Sequence, residues 1–184
     1  MRSGTAVAYA EGMRVSLGIV VRGCLALGVL PSLVDCSGNS SFQASANVAG
    51  NYTVSVTNAD NGCMIASWDV GKSTSDIPFM IDQQDENLTG TLQGLSGLAL
   101  DAAIGTNSFT GSATGNDFDI TAFGKKTYTQ GNCSYKLNAE ISGNISGDAI
   151  TGTIKYSPAT DNNPDCTSLQ CSSTQNFNGT RPPS

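Results

Sequence analysis

From Gly50 onward, short apolar runs alternate with small polar residues and are separated by Gly, Asn and Asp. This is the period-two pattern of half-buried strands. In NYTVSVT (51–57), Tyr52, Val54 and Val56 take one face and Thr53, Ser55 and Thr57 the other. IPFMIDQ (77–83) comes after a long first loop, and a short acidic link joins it to NLTGTLQ (87–93). SFTGSAT (108–114) leads through Gly115 and Asn116 into DFDITAF (117–123). SYKLNAEIS (134–142) leads through GNISGD into AITGTIKYS (149–157), and TQNFNGT (174–180) ends the series. These runs predict eight strands in an all-β domain over residues 50–184. Eight meandering antiparallel strands with one apolar face close into an up-and-down barrel, because closure removes unpaired edges. A two-sheet β-sandwich is the alternative that the same pattern allows.

One segment breaks the rhythm. GLSGLALDAAIGT (94–106) sets Leu95, Leu98, Ala99, Ala102 and Ala103 at helical spacing, which predicts a short helix near one barrel end. A helix that plugs the core is expected there in preference to a lid. NLTGTL, SFTGSA, AITGTI and NFNGTR echo one another, but their irregular spacing marks them as strands and not as a repeat array. A glycine inside each predicts a bend or bulge.

The N-terminal part reads differently. Arg14 and Arg22 precede Gly23 to Val34, an uncharged run too short to span a bilayer and suited to a signal-peptide core. Residues 1–35 are therefore read as a signal peptide, with Met13 as a candidate true start. Leu33-Val34-Asp35-Cys36 resembles a bacterial lipobox, although Asp35 stands where that motif takes a small residue. The resemblance implies lipidation of Cys36 and a membrane anchor, with residues 36–49 as a small polar tether. By the same resemblance, Ser37 fits outer-membrane sorting. The rival is cleavage at Ala44-Ser45-Ala46, which would release a soluble secreted protein.

Six cysteines constrain the rest. Cys24 falls in the apolar run and Cys36 in the lipobox-like motif, which leaves Cys63, Cys133, Cys166 and Cys171. An even number in an exported chain predicts two disulfides. The short interval between Cys166 and Cys171 favours pairing them locally, with Cys63 to Cys133. Cys63–Cys171 with Cys133–Cys166 is another of the three pairings. A zinc site lacks the paired CxxC spacing.

Composition excludes several functions. There is no histidine, which removes Ser-His-Asp and Cys-His nucleophile systems and imidazole metal sites. From Ser37 on, six Lys/Arg stand against thirteen Asp/Glu, so that part carries 6 − 13 = −7. Such a surface repels phosphate backbones and argues against nucleic-acid binding. No cofactor is implied. Asp117 and Asp119 share one face of a strand and are the candidate pair for carboxylate-dependent hydrolysis, although a solvated outer face is the simpler reading. Asp161 and Asp165 lack an ordered calcium-ligand series. Trp68, the only tryptophan, lies in the long loop near Cys63 and is read as packing over the core edge. The Asn-x-Ser/Thr sequons, such as Asn87 and Asn178, are read as by-products of an Asn/Thr-rich β sequence.

With these features, residues 50–181 are similar to a small lipocalin-like (calycin-type) barrel of a bacterial lipoprotein. Gly50-Asn51-Tyr52 stands where that family carries Gly-x-Trp, and Arg181 follows the last strand. The resemblance implies an Arg181–Tyr52 cation–π contact closing the barrel, and an interior that holds a small apolar ligand. The expectation is a non-enzymatic binding domain in the bacterial cell envelope, its partner a small apolar ligand or an envelope protein. The alternatives are a structural lipoprotein with a filled barrel, and a hydrolase.

Overall fold

The computed structural model describes residues 45–183. Nine strands, one α-helix and one 3-10 turn make up this part. They are β1 (Gly50–Asn61), β2 (Ser73–Gln84), β3 (Asn87–Leu92), α1 (Gly94–Ile104), β4 (Ser108–Thr114), β5 (Asp117–Ala122), β6 (Tyr128–Gln130), β7 (Cys133–Ser146), β8 (Ala149–Ala159), the turn Pro164–Leu169 and β9 (Ser173–Thr180). All pairings are antiparallel. The order β1-β2-β3-β4-β5-β7-β8-β9 closes on itself through β5–β7 and β9–β1, while β6 pairs only with the start of β7. The eight-stranded barrel is thus present, with a small extra strand outside it. The β7–β8 link is shorter than expected: β7 runs through Ser146, and only Gly147 and Asp148 turn the chain.

The two ends of the barrel differ. Two-residue turns at 85–86, 115–116 and 147–148 lie at one end, together with both termini of the described chain. Each turn begins with a left-handed residue, Asp85, Gly115 or Gly147. The long connections, 62–72, 93–107, 123–132 and 160–172, all lie at the other end.

The short-turn end is filled. Val48, Tyr52, Ile81, Phe118, Ile120 and Ile150 are almost wholly buried there. Residues 45–49, expected to belong to a free tether, cross this end. Ala46 N donates to Gly115 O at 2.7 Å, Val48 N donates to Gln83 Oε1 at 2.7 Å, and Val48 has no exposed surface. An apolar residue in that position is removed from water and holds the segment in place.

The glycines of the echo do not mark bulges. Pairing is continuous through Gly90, Gly111, Gly152 and Gly179, and among the described strands the only register shifts are in the pairings of β1 with β2 and of β1 with β9. These glycines face inward and make room for neighbours. A Cβ on Gly90 would lie 2.7 Å from Phe79 Cζ. Across the wall, Phe118, Gly143, Gly152 and Phe177 form one row of partners on β5, β7, β8 and β9. The two rings, 6.4 Å apart, lie over the two glycines.

Disulfides join Cys63 to Cys171 and Cys133 to Cys166, so the expected local Cys166–Cys171 bridge is replaced by the crossed pairing. The reason is strand order. β1 and β9 are neighbours, with Asn61 opposite Ser173, so Cys63 and Cys171 meet just beyond the ladder. Cys166 in the 3-10 turn faces the first residues of β7, its Sγ 3.6 Å from Ser134 O. The bridges close chain separations of 108 and 33 residues, and each removes about 4–5 kcal/mol of unfolded-state freedom on a chain-entropy basis.

A methyl group at position 143 would lie 2.5 Å from Phe118 Cζ and 3.0 Å from Phe177 Cζ. Gly143→Ala is expected to lower unfolding free energy by about 1–3 kcal/mol, as overpacking does. Thr153→Ala, on the exposed face of β8, is expected to change it by less than about 0.5 kcal/mol. Urea unfolding of the two variants beside the parent checks this; equal midpoints would remove the ring-over-glycine account.

Candidate functional site

Above the Phe79, Phe109 and Phe177 layer the barrel is hollow. A cavity of about 410 Å³ opens at the long-loop end, and among the described residues no charged side chain lines it. Its floor is aromatic: Phe79 and Phe109 meet edge to face with centroids 5.9 Å apart. Its walls are inward positions of the strands, such as Val56, Leu137, Ile141 and Ile154, and two structures stand at its mouth.

The first is α1. Leu92 N donates to Asn107 O at 3.0 Å, and Asn107 Nδ2 donates to Leu92 O at 2.9 Å, so the helical excursion is pinched at its base. Gly97 is pressed against the end of β3, where a Cβ would lie 2.2 Å from Leu92 O. That contact turns the 97-100-104 stripe inward and places Ser96, Ala99, Leu100, Ala103 and Ile104 on the cavity. The expected face is only partly right: Ala99 and Ala103 line the cavity, whereas Leu95 and Leu98 are 85% and 68% exposed. The helix therefore stands at the mouth without plugging the core. Its C-terminal carbonyls are held by Lys126 Nζ on Ala102 O at 2.9 Å and by the Tyr128 hydroxyl on Ala103 O.

The second is the 62–72 loop. Asn61 Oδ1 accepts from Ile65 N at 2.7 Å and from Ser173 Oγ at 3.1 Å, and Ser173 is fully buried beside the Cys63–Cys171 bridge. Trp68 donates through Nε1 to Ala59 O at 3.4 Å and meets Tyr156 edge to face at 5.8 Å. It packs over the barrel edge as expected, and in doing so becomes part of the cavity wall.

Tyr156 and Gln175 supply polar groups to that wall. The Tyr156 hydroxyl donates to Gln175 Oε1 at 2.8 Å, and Gln175 Nε2 donates to Asn58 Oδ1 at 2.8 Å. Burial pushes the Tyr156 hydroxyl up to about 12. The residue is half-buried, and protein surrounds the phenol closely enough to disfavour the anion.

No protein-family model, curated protein or solved structure matches the chain. The barrel itself is compatible with a lipocalin-like fold. The disulfides point to an oxidising, extracytoplasmic environment, and among the described residues no helix is long and apolar enough to cross a membrane.

The residues expected from sequence fall in three places. Arg181 and Tyr52 meet at the filled end, with the guanidinium carbon 5.7 Å from the ring centroid. Arg181 Nε donates to Asp148 Oδ1 at 3.1 Å, Nη1 reaches the carbonyls of Asn47 and Ala49, and the Tyr52 hydroxyl donates to Val48 O at 2.8 Å. Burial raises the Tyr52 hydroxyl above its ordinary value, and nearby Arg181 opposes this. Asp117 and Asp119 are exposed on the outer wall, over a shallow open depression. Asn144 Nδ2 donates to Asp117 Oδ1 at 3.0 Å and Ser142 Oγ donates to Asp119 Oδ1 at 2.5 Å. Asp161 and Asp165 lie in the 160–172 loop, and among the described residues no group of acidic or sulfur ligands is arranged to hold a metal. Cys36 lies outside the described residues.

Sequence reasoning passed over Tyr156 and Gln175. The signal was available: both fall on inward positions of their strands, Tyr156 two residues beyond Ile154 and Gln175 two before Phe177, and a glutamine there is out of place in a filled core.

An acid whose value is higher in the folded chain ionises first in the unfolded one. The Tyr156 contribution is therefore complete below pH 10 and is lost as pH rises from 10 towards about 12. The difference in phenolate absorbance between the parent and Tyr156→Phe is expected to show no ionisation at pH 10 to 11 in the native protein. In denaturant it should titrate near 10. A native titration near 10 would show the phenol to be open to water.

Proposed function

We propose that this chain is an exported, lipid-anchored barrel of the bacterial cell envelope that binds a small apolar molecule without chemically changing it. One observation carries the binding part: the apolar, uncharged cavity of about 410 Å³ at the long-loop end. Its size and lining are those of small-molecule sites. A purely structural role calls for no such space, since interiors otherwise pack to crystal density. The hydrolase alternative has less support, because Asp117 and Asp119 stand on the exposed outer wall away from the cavity.

The anchor rests on the lipobox-like Leu33-Val34-Asp35-Cys36, and export on that motif together with the disulfides. The rival cleavage after Ala46 is less favoured, because it would remove Ser45 and Ala46, which bond to Ala113 and Gly115 at the filled end. A second reading, an envelope protein docked at the open end, is favoured by the exposed Met64, Val70, Leu95, Leu98 and Phe123, all on the long connections.

N-Phenyl-1-naphthylamine, neutral and fluorescent in apolar surroundings, tests the cavity. One equivalent is expected to bind, and Ala103→Phe at the mouth is expected to weaken binding by about tenfold or more. No enhancement with the parent protein would remove the ligand reading.

The intact mass of the protein from native membranes tests the anchor. A diacylglyceryl-plus-acyl increment on a chain starting at Cys36 is expected, and Cys36→Ser should release the protein from membranes. An unmodified chain starting at Asn47 would make it a freely diffusing secreted protein.

A further inference from the structure

The cavity is chemically selective in a way that its volume alone does not convey. Among the described residues, its lining contains no Lys, Arg, Asp or Glu. Its polar side chains are Thr74, Ser96, Trp68, Tyr156 and Gln175. The Trp68 N–H is taken by Ala59 O. Gln175 differs. A carboxamide has two N–H donors and two carbonyl lone pairs. One donor is used by Asn58 Oδ1 and one lone pair by the Tyr156 hydroxyl. One donor and one lone pair remain on an inward-facing side chain, one inward position above the Phe177 floor.

We infer that the ligand is an uncharged lipophile whose single hydroxyl or carbonyl oxygen is hydrogen-bonded by Gln175. This rests on the cavity-binding reading. A hydroxyl matches both unused functions of the amide, donating to the lone pair and accepting from the N–H. A carboxylate or ammonium in the same place would give up its hydration with no countercharge in the wall. The Tyr156–Gln175–Asn58 chain fixes the amide before a ligand arrives, so little side-chain freedom is lost on binding. Filled to between half and three-quarters of its volume, the cavity takes about 13–18 non-hydrogen atoms.

Trp68, the only tryptophan, stands in the wall and reports occupancy directly. Its emission is followed while the intact protein is titrated, below micelle-forming concentrations, with 1-dodecanol, with dodecanoate at a pH where it is fully ionised, and with dodecyltrimethylammonium. Dodecanol is expected to bind about tenfold or more tightly than either ion. Gln175→Leu is expected to weaken dodecanol about five- to tenfold and to narrow the gap to dodecanoate. An ion that binds as tightly as the alcohol overturns the inference while leaving cavity binding in place. Failure of all three amphiphiles and of N-phenyl-1-naphthylamine overturns the cavity reading itself. An unchanged dodecanol affinity in Gln175→Leu removes the role of the amide. The three-way comparison on the parent protein decides the charge selectivity even if that variant does not fold.

Discussion

Two phenylalanine rings lie where two adjacent strands carry no side chain. Phe118 and Phe177 reach towards each other from β5 and β9 across Gly143 and Gly152, which pair directly between them. An eight-stranded barrel is just wide enough for side chains to fill. Two rings fit at this level because the glycines give up their volume, and a methyl on either would press against a ring at 2.5–2.8 Å. The filled end has its core from this level down, through Tyr52, Ile120 and Ile150 to Val48. Towards the long connections, Phe177 becomes part of a floor, and no side chain of comparable bulk fills the space over it. The partition between packed core and cavity therefore follows from where glycines and rings alternate along four strands.

The two ends are held by different chemistry. At the filled end, Arg181 gathers the Tyr52 ring, the Asp148 carboxylate and the carbonyls of Asn47 and Ala49. The Arg181 side chain is only 12% exposed, so its charge is largely withdrawn from water and needs that full set of partners. A Cβ on Gly50 would lie 2.7 Å from Arg181 Cδ, so the glycine before Tyr52 gives the arginine its path. The open end has no such buried ion pair among the described residues. Covalent bridges and side-chain amides order its long connections, with Cys63–Cys171 and Asn61 holding the Trp68 loop. Cross-links suit this end, since loops around a hollow have little core to pack against.

Much of this was legible in the sequence. Alternation in NYTVSVT and DFDITAF gives the inward faces correctly, and short links imply a meander, hence a closed barrel. The disulfide pairing was not legible, because proximity along the chain favoured Cys166–Cys171, whereas proximity in space follows from β9 returning to β1. The helix face was misjudged because GLSGLALDAAI is apolar on every side, and Gly97, the residue that orients it, has no hydrophobicity to read. The glycines were noticed, but their role depends on rings from other strands. Tyr156 and Gln175 were hidden for a related reason. Each looks unremarkable in its own strand, and they become a pair only when β8 and β9 lie side by side.

The hollow end also explains why α1 is apolar on both sides. Its inner face covers the cavity, which calls for Leu100 and Ile104, while small residues at 96, 99 and 103 keep it from filling the space. Its outer face, with Leu95 and Leu98, meets solvent in the isolated chain. Apolar side chains scattered singly over a surface are ordinary, whereas contiguous ones mark contact sites. Here Leu95 and Leu98 add helix propensity to a segment with three glycines at or beside it, at 94, 97 and 105, and with no side-chain cap at its start. Such a helix is held by the pinch between Leu92 and Asn107 and by the caps from Lys126 and Tyr128 more than by its own preference. A molecule held beneath Leu100 would pack against this inner face, so its binding and the stability of the helix would be thermodynamically linked.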